Sequence, residues 1–322
     1  MPRHFLRLGD IDPTTAMSVL ERAASMKAQG YRGSELKDKV AAMVFAKAST
    51  RTRVSFEVAV RHLGGSTVFM TTSESQLGRS EPLKDTARVL SRYVDCLIVR
   101  TFGQEILEEL AEYATVPVIN ALSDLHHPCQ VMSDMLTIYE RTPDLEKVRV
   151  AWIGDGNNMA HSWIEAAMVF PFELFMAVPQ GYEPRRDIIE RALMFGAKIF
   201  LTHEPELAVE DAHYVNTDVW ASMGQEGEQE HRAEVFRPYQ VNLELLAEAD
   251  PGVKVMHCLP AHRGEEITDE VLESDASIVW DQAENRLHMQ KSLLQWIFSP
   301  ENEDEGGLGA YAERIGRKKA IV

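Results

Sequence analysis

VAAMVFAKASTRTRVSFEVA, residues 40–59, decides how the chain is read. Val40–Phe45 is a short apolar run of the length of a buried strand. It feeds into Ser49-Thr50-Arg51-Thr52-Arg53, where hydroxyls and guanidinium groups head a segment whose Val54, Phe56 and Val58 supply apolar surface. A helix start needs one Ser, Thr, Asp or Asn to accept a backbone N–H. The surplus here points to an anion, most naturally a phosphate, because a helix N-terminus presents unpaired N–H donors and the positive end of its dipole. A solvated basic first turn is the plain alternative.

The same strand, loop and helix unit recurs on either side. Apolar spacing predicts a helix over 12–29, a strand over 66–70, a helix over 83–93 and a strand over 96–99, with Arg100 at its C-terminal end. A helix over 104–113, a strand over 116–120 and a helix over 131–140 follow. Beyond Pro143 the cycle restarts, with strands at 148–153, 174–178, 199–201, 214–217 and 253–256, and helices at 159–170 and 185–195. This alternation predicts an α/β protein of two domains, each a parallel sheet flanked by helices. The expected division is 1–142, 143–286 and 287–322, the last part being a helix over 287–298 that returns to the first domain and a mobile tail after Ser299.

The 322 residues exceed the usual size of one compact domain. No apolar run approaches the ~20 residues a membrane span needs, and the N-terminus lacks the apolar centre of a secretory signal, so the cytoplasm is the expected location. Three widely spaced cysteines, Cys96, Cys129 and Cys258, imply no disulfide framework. A net charge of −17 argues against nucleic-acid binding. Any phosphate site therefore depends on locally clustered Lys47, Arg51, Arg53 and Arg100.

Four further motifs carry chemistry. His126-His127-Pro128-Cys129-Gln130 precedes a helix; adjacent histidines cannot easily turn to one metal, so His127 and Gln130 read as hydrogen-bonding groups for a polar ligand rather than zinc ligands. Gly154-Asp155-Gly156-Asn157-Asn158 follows a strand like a dinucleotide turn, but Met159 breaks the glycine pattern and disfavours a nicotinamide cofactor. Asn158 suits a carboxylate, or else merely caps the helix. Asp218, in Asp218-Val219-Trp220-Ala221-Ser222-Met223-Gly224, suits an ammonium group. His257-Cys258-Leu259-Pro260 closes a strand; a cysteine there is more often packing than nucleophile.

In order and spacing these motifs resemble the aspartate/ornithine carbamoyltransferase family along almost the whole chain. Ser49-Thr50-Arg51-Thr52-Arg53 and His127-Pro128-Cys129-Gln130 are the motifs shared across it, whereas Asp218-x-x-x-Ser222-Met223-Gly224 and His257-Cys258-Leu259-Pro260 separate its ornithine branch from its aspartate branch. Ala46 departs from the pattern, standing where an acidic residue is common. The resemblance implies reaction in a crevice between the domains, with no metal or organic cofactor. It assigns carbamoyl phosphate to Ser49, Thr50, Arg51, Thr52, Gln76, Arg100, His127, Gln130, Cys258, Leu259 and Arg286. It assigns ornithine to Asn158, Asp218, Ser222 and Met223, and the chemistry to Arg100, His127, Asp218 and Cys258. Gln76 looks like the family residue that reaches a neighbouring subunit's site, which implies a homotrimer or an assembly of trimers. Carbamoyl transfer to putrescine or an acylated ornithine, and a nicotinamide-dependent dehydrogenase, are the competing readings.

Overall fold

The computed structural model describes residues 2–71, 81–221 and 226–299. The chain separates into two compact units, Met1–Leu136 with Arg286–Val322, and Thr137–Asn285.

The first unit runs α1 (Pro13–Ala28), β1 (Val40–Phe45), α2 (Thr50–His62), β2 (Ser66–Thr71), α3 (Leu83–Leu90), β3 (Cys96–Arg100), α4 (Gln104–Tyr113) and β4 (Val118–Leu122), and ends in α5 (Pro128–Tyr139), which continues into the second unit. Its four strands are parallel in the order β2-β1-β3-β4. Four of the five residues of β4, and all of those in β3, are buried, as continuous Val, Ile and Leu runs require in a sheet covered on both faces. The order reverses between β1 and β3, and open α/β sheets bind ligands beyond the strand ends at such a switch point. Ser49 follows β1, and Arg100 ends β3 where the register with β4 shifts from Val99↔Asn120 to Arg100↔Leu122. A bulge of this kind re-aims the side chain beside it.

The second unit contains β5 (Arg149–Ile153), α6 (Asn158–Val169), β6 (Glu173–Ala177), α7 (Arg186–Met194), β7 (Lys198–Thr202), α8 (Pro205–Val209), β8 (Tyr214–Thr217), α9 (Gln229–Phe236), α10 (Leu243–Leu246), β9 (Lys254–His257) and α11 (Asp269–Leu272). The strands are again parallel, ordered β7-β6-β5-β8-β9, with the reversal between β5 and β8. The turn 154–158 leaves β5 there, and Asp218 leaves β8. A core of Ile153, Val215, Val241, Val255 and Val271 packs one side of this sheet.

Two helices begin earlier than their apolar spacing predicts. α5 starts at Pro128, so Pro128, Cys129 and Gln130 form its first turn instead of a preceding loop; proline at that position needs no N–H partner and its φ is already helical. α12 (Val279–Phe298) starts well before Leu287, which places Arg286 inside the helix and not ahead of it. The reason is composition: Gln282, Asn285 and Arg286 are buried, so the inward face of the first two turns is largely polar and carries no apolar period, whereas Met289, Leu293 and Leu294 supply one further on. No described helix is long and apolar enough to cross a membrane.

Phe56 of α2 is fully buried, while Val54 is 52% exposed. Phe56→Ala is expected to lower unfolding free energy by about 3–5 kcal/mol in urea titrations, and Val54→Ala by less than about 0.5 kcal/mol. Equal losses for the two would contradict the orientation of α2.

Candidate active site

In the first unit the site is built on one hydroxyl. Thr52 has no exposed surface. Its Oγ1 accepts from Arg286 at 2.6 Å and from Arg100 at 3.4 Å, which uses both lone pairs and leaves the hydroxyl proton to be donated. Ser49 caps α2, its Oγ accepting from the Thr52 N–H at 3.3 Å. Thr50 is exposed on the first turn. The Nε of Arg51 is buried and has no hydrogen-bond partner. Arg53 points elsewhere, exposed over the Phe69 ring at 3.7 Å and 3.6 Å from Glu57. Lys47 spends its charge on Asp124 and lies over the Phe102 ring at 4.3 Å, joining the loop before α2 to the loop before α5.

His127 immediately precedes α5, and its carbonyl accepts the Gln130 N–H. Burial, reinforced by the positive charges of Arg286 and Arg100, holds its imidazole well below the usual histidine range, so the ring is neutral. The Gln130 amide donates to Asp134 at 2.8 Å; its Oε1 is buried with no hydrogen-bond partner, an acceptor suited to an N–H₂ group. Cys129 is buried and its thiol is pushed up to about 12, which makes it an inert packing group.

The second unit centres on Asp218. Its Oδ2 accepts from Asn157 at 3.1 Å, and its Oδ1 from the Val219 N–H at 2.8 Å and from the Cys258 thiol at 3.0 Å. Asn157 also caps α6, accepting from Met159 and Ala160. The cap thus falls on Asn157, and Asn158 is the first helical residue. Asp155 is buried against Arg232; burial raises its carboxyl to about 6, Arg232 opposing and the charge of Asp218 adding. His257 is fixed at both nitrogens, Nε2 with buried Glu266 at 2.9 Å and Nδ1 accepting from Leu259 N–H at 2.8 Å. An Nδ1 that accepts carries no proton, so Nε2 donates to the carboxylate. Leu259 has φ +57°, a region costly for a side-chain-bearing residue and concentrated at functional sites. Asp218, His257 and Cys258 stand within the span of a metal site, yet the thiol and the ring nitrogens are engaged in the hydrogen bonds just given.

Of the residues assigned from the sequence, Thr52, Arg100 and Arg286 meet directly, with His127 under their field. Asp218 and Cys258 meet in the second unit. Gln76, Ser222, Met223 and the tail beyond Ser299 lie outside the described residues. Asn157, Asp155, Arg232 and Glu266 are additional; among them only the glycine turn around Asp155 and Asn157 drew notice in the sequence.

Residues 3–140 match the family model of the carbamoyl-P binding domain of aspartate/ornithine carbamoyltransferase, and residues 146–297 that of the Asp/Orn binding domain. The chain belongs to the aspartate/ornithine carbamoyltransferase family. Within that family it is 68% identical over 299 residues to an ornithine carbamoyltransferase of Nitratidesulfovibrio vulgaris, covering 93% of this chain and 100% of that one. Among solved structures it is similar to the ornithine carbamoyltransferase of Pyrococcus furiosus, with TM-score 0.87 and 48% identity over 91% of this chain and 96% of that one. The Thermus thermophilus enzyme gives TM-score 0.86 and 41% identity over 93% and 100%.

Because His127 is neutral, its ¹⁵N imidazole resonances should report one neutral tautomer from about pH 8 down to below pH 6. A doubly protonated ring appearing near pH 6.5 would show that burial and the charges of Arg286 and Arg100 do not depress it.

Proposed function

We infer that the chain transfers the carbamoyl group of carbamoyl phosphate to the δ-amine of L-ornithine, giving L-citrulline and phosphate. The observation that carries this reading is the pair of complementary half-sites at the two topological switch points, one cationic around Thr52 and one anionic at Asp218. The relatives named ornithine carbamoyltransferase support the same substrate.

In the first half-site, the N-terminus of α2 with Ser49, Thr50, Thr52 and Arg51 cradles the phosphate; the unpartnered Arg51 Nε supplies a charged donor. The Thr52 hydroxyl, Arg100 and neutral His127 point at the carbamoyl carbonyl oxygen, where negative charge grows in the tetrahedral intermediate. The free Oε1 of Gln130 accepts from the carbamoyl nitrogen, and Arg286 completes the cradle. In the second, Asp218 with Ser222 anchors the α-ammonium, and Asn158 with the Met223 backbone holds the α-carboxylate.

The reaction balances without a metal or organic cofactor. An aliphatic amine is mostly protonated at neutral pH, having an unperturbed pKa near ~10.4, so the attacking δ-amine must first lose a proton. Its lone pair forms the C–N bond, the bond from carbon to the phosphate oxygen breaks, and departing phosphate accepts a proton. Cys258 serves as an anchor for Asp218, not as a covalent nucleophile.

A nicotinamide-dependent dehydrogenase is disfavoured by the turn after β5. Gly156 donates its N–H to Tyr182 at 2.9 Å, and a Cβ there would stand 2.3 Å from the backbone of Tyr182 and Pro184. The close approach this glycine permits is filled by the chain itself, where a pyrophosphate would need it open. A homotrimer with sites shared through Gln76, and a cytoplasmic location, belong to the same reading.

Incubation with carbamoyl phosphate and ornithine should yield citrulline, with putrescine poorer by about 10⁴–10⁵ in kcat/KM because it leaves the polar groups for the α-carbon unpaired. Arg51→Ala should weaken carbamoyl phosphate binding by about 1.5–3 kcal/mol without unfolding the protein. Asp218→Asn should raise the ornithine KM and leave carbamoyl phosphate titrations unchanged. Equal use of ornithine and putrescine would sink the assignment, and lost carbamoyl phosphate binding in Asp218→Asn would move Asp218 to the other half-site.

A further inference from the structure

Arg232 lies in none of the motifs that identify the family, yet it is among the most buried charges of the second unit. We propose that Arg232 is a positioning residue for ornithine, tethering the main chain just after Asp218 to the turn 154–158 and so fixing where the Asp218 carboxylate stands.

Its guanidinium pairs with Asp155 in that turn, and its Nε donates to the carbonyl of Trp220, two residues beyond Asp218. The same group lies 4.8 Å from the ring centre of Tyr182 and 5.0 Å from that of Phe236, two rings that are themselves 4.9 Å apart, so an aromatic corner packs against one side of it. Trp220 is itself buried, with its ring 6.2 Å from that of Phe236. The turn that holds Arg232 through Asp155 also holds Asp218 directly, through the Asn157 amide. Asp218 is therefore fixed from one turn by two routes: its carboxylate through Asn157, and its following main chain through Arg232.

The energetics argue for positioning. Burying an arginine and an aspartate carries a heavy desolvation cost, and apolar groups of similar volume often serve stability as well or better. What they cannot supply is a rigid, forked donor that reaches a carboxylate and a carbonyl together. Glu228, 3.8 Å from the guanidinium and largely exposed, is a rim contact beside this arrangement.

The inference rests on the ornithine reading, and its test uses Arg232→Met and the double variant Asp155→Asn/Arg232→Met. In Arg232→Met the ornithine KM should rise by about 10- to 100-fold, since a small misplacement at a reacting group is enough for a loss of that size. Carbamoyl phosphate affinity should stay at the wild-type value. The double variant leaves no unpaired buried charge, so it should melt close to wild type, yet it should keep the raised KM because the Trp220 carbonyl still lacks its donor. Hydrogen exchange across 218–221 should accelerate in both variants while α6 remains protected. If Arg232→Met does not fold, the double variant carries the test. A double variant with wild-type ornithine KM, or with unchanged exchange at 218–221, would overturn the proposal and leave the pair as packing. Accelerated exchange in an enzyme whose wild type carbamoylates no ornithine would overturn the substrate reading instead.

Discussion

The hydroxyl of Thr52 is where the first unit's chemistry converges. Arg100 lies 48 residues from it in sequence and Arg286 lies 234, and both guanidinium groups donate to the same oxygen. Like charges held together in a buried place repel, and burial together with that field holds the His127 imidazole well below its usual range. The same arrangement turns the threonine into a donor, because a hydroxyl whose lone pairs are occupied has only its proton left to offer. A site of this kind favours an anion and a carbonyl oxygen that becomes negative during reaction, and favours them most at the point of greatest charge.

That convergence depends on sheet topology. In each parallel sheet the strand order reverses once, and the chemistry-bearing segments leave the strands on either side of the reversal: Ser49 to Thr52 and Arg100 in one unit, 154–158 and Asp218 in the other. Parallel strands must be joined by crossovers, which sends every connection from the same edge of the sheet. Two sheets built on one plan thus carry different charges at their switch points, Arg100 on one, joined there by Arg286 of α12, and Asp218 on the other.

Much of this was legible in the sequence where local chemistry and local period agree. Val40–Phe45 followed by hydroxyls and arginines identifies both the strand and the capped start of α2, and Gln104–Tyr113 follows its apolar spacing to the residue. Legibility ends where the fold buries polar groups. α12 hides its first two turns because Gln282, Asn285 and Arg286 face inward, so Arg286 was read as lying ahead of the helix it belongs to. A cap was one of two readings left open for Asn158, and it is Asn157 that caps α6, since two adjacent asparagines are indistinguishable until one backbone turns helical. The Arg232 to Asp155 pair joins residues 77 apart, and no local pattern marks such a partnership.

The most direct test of the central claim compares Thr52→Val with Thr52→Ser at saturating carbamoyl phosphate and ornithine, following citrulline release. Valine keeps the shape and removes both the acceptor for the two guanidinium groups and the proton they leave free. Turnover should fall by about 10²–10³ in Thr52→Val, the size typical of losing one oxyanion donor, and should stay within about tenfold of wild type in Thr52→Ser. A folded Thr52→Val protein with wild-type turnover would contradict the claim that this hydroxyl organises the site.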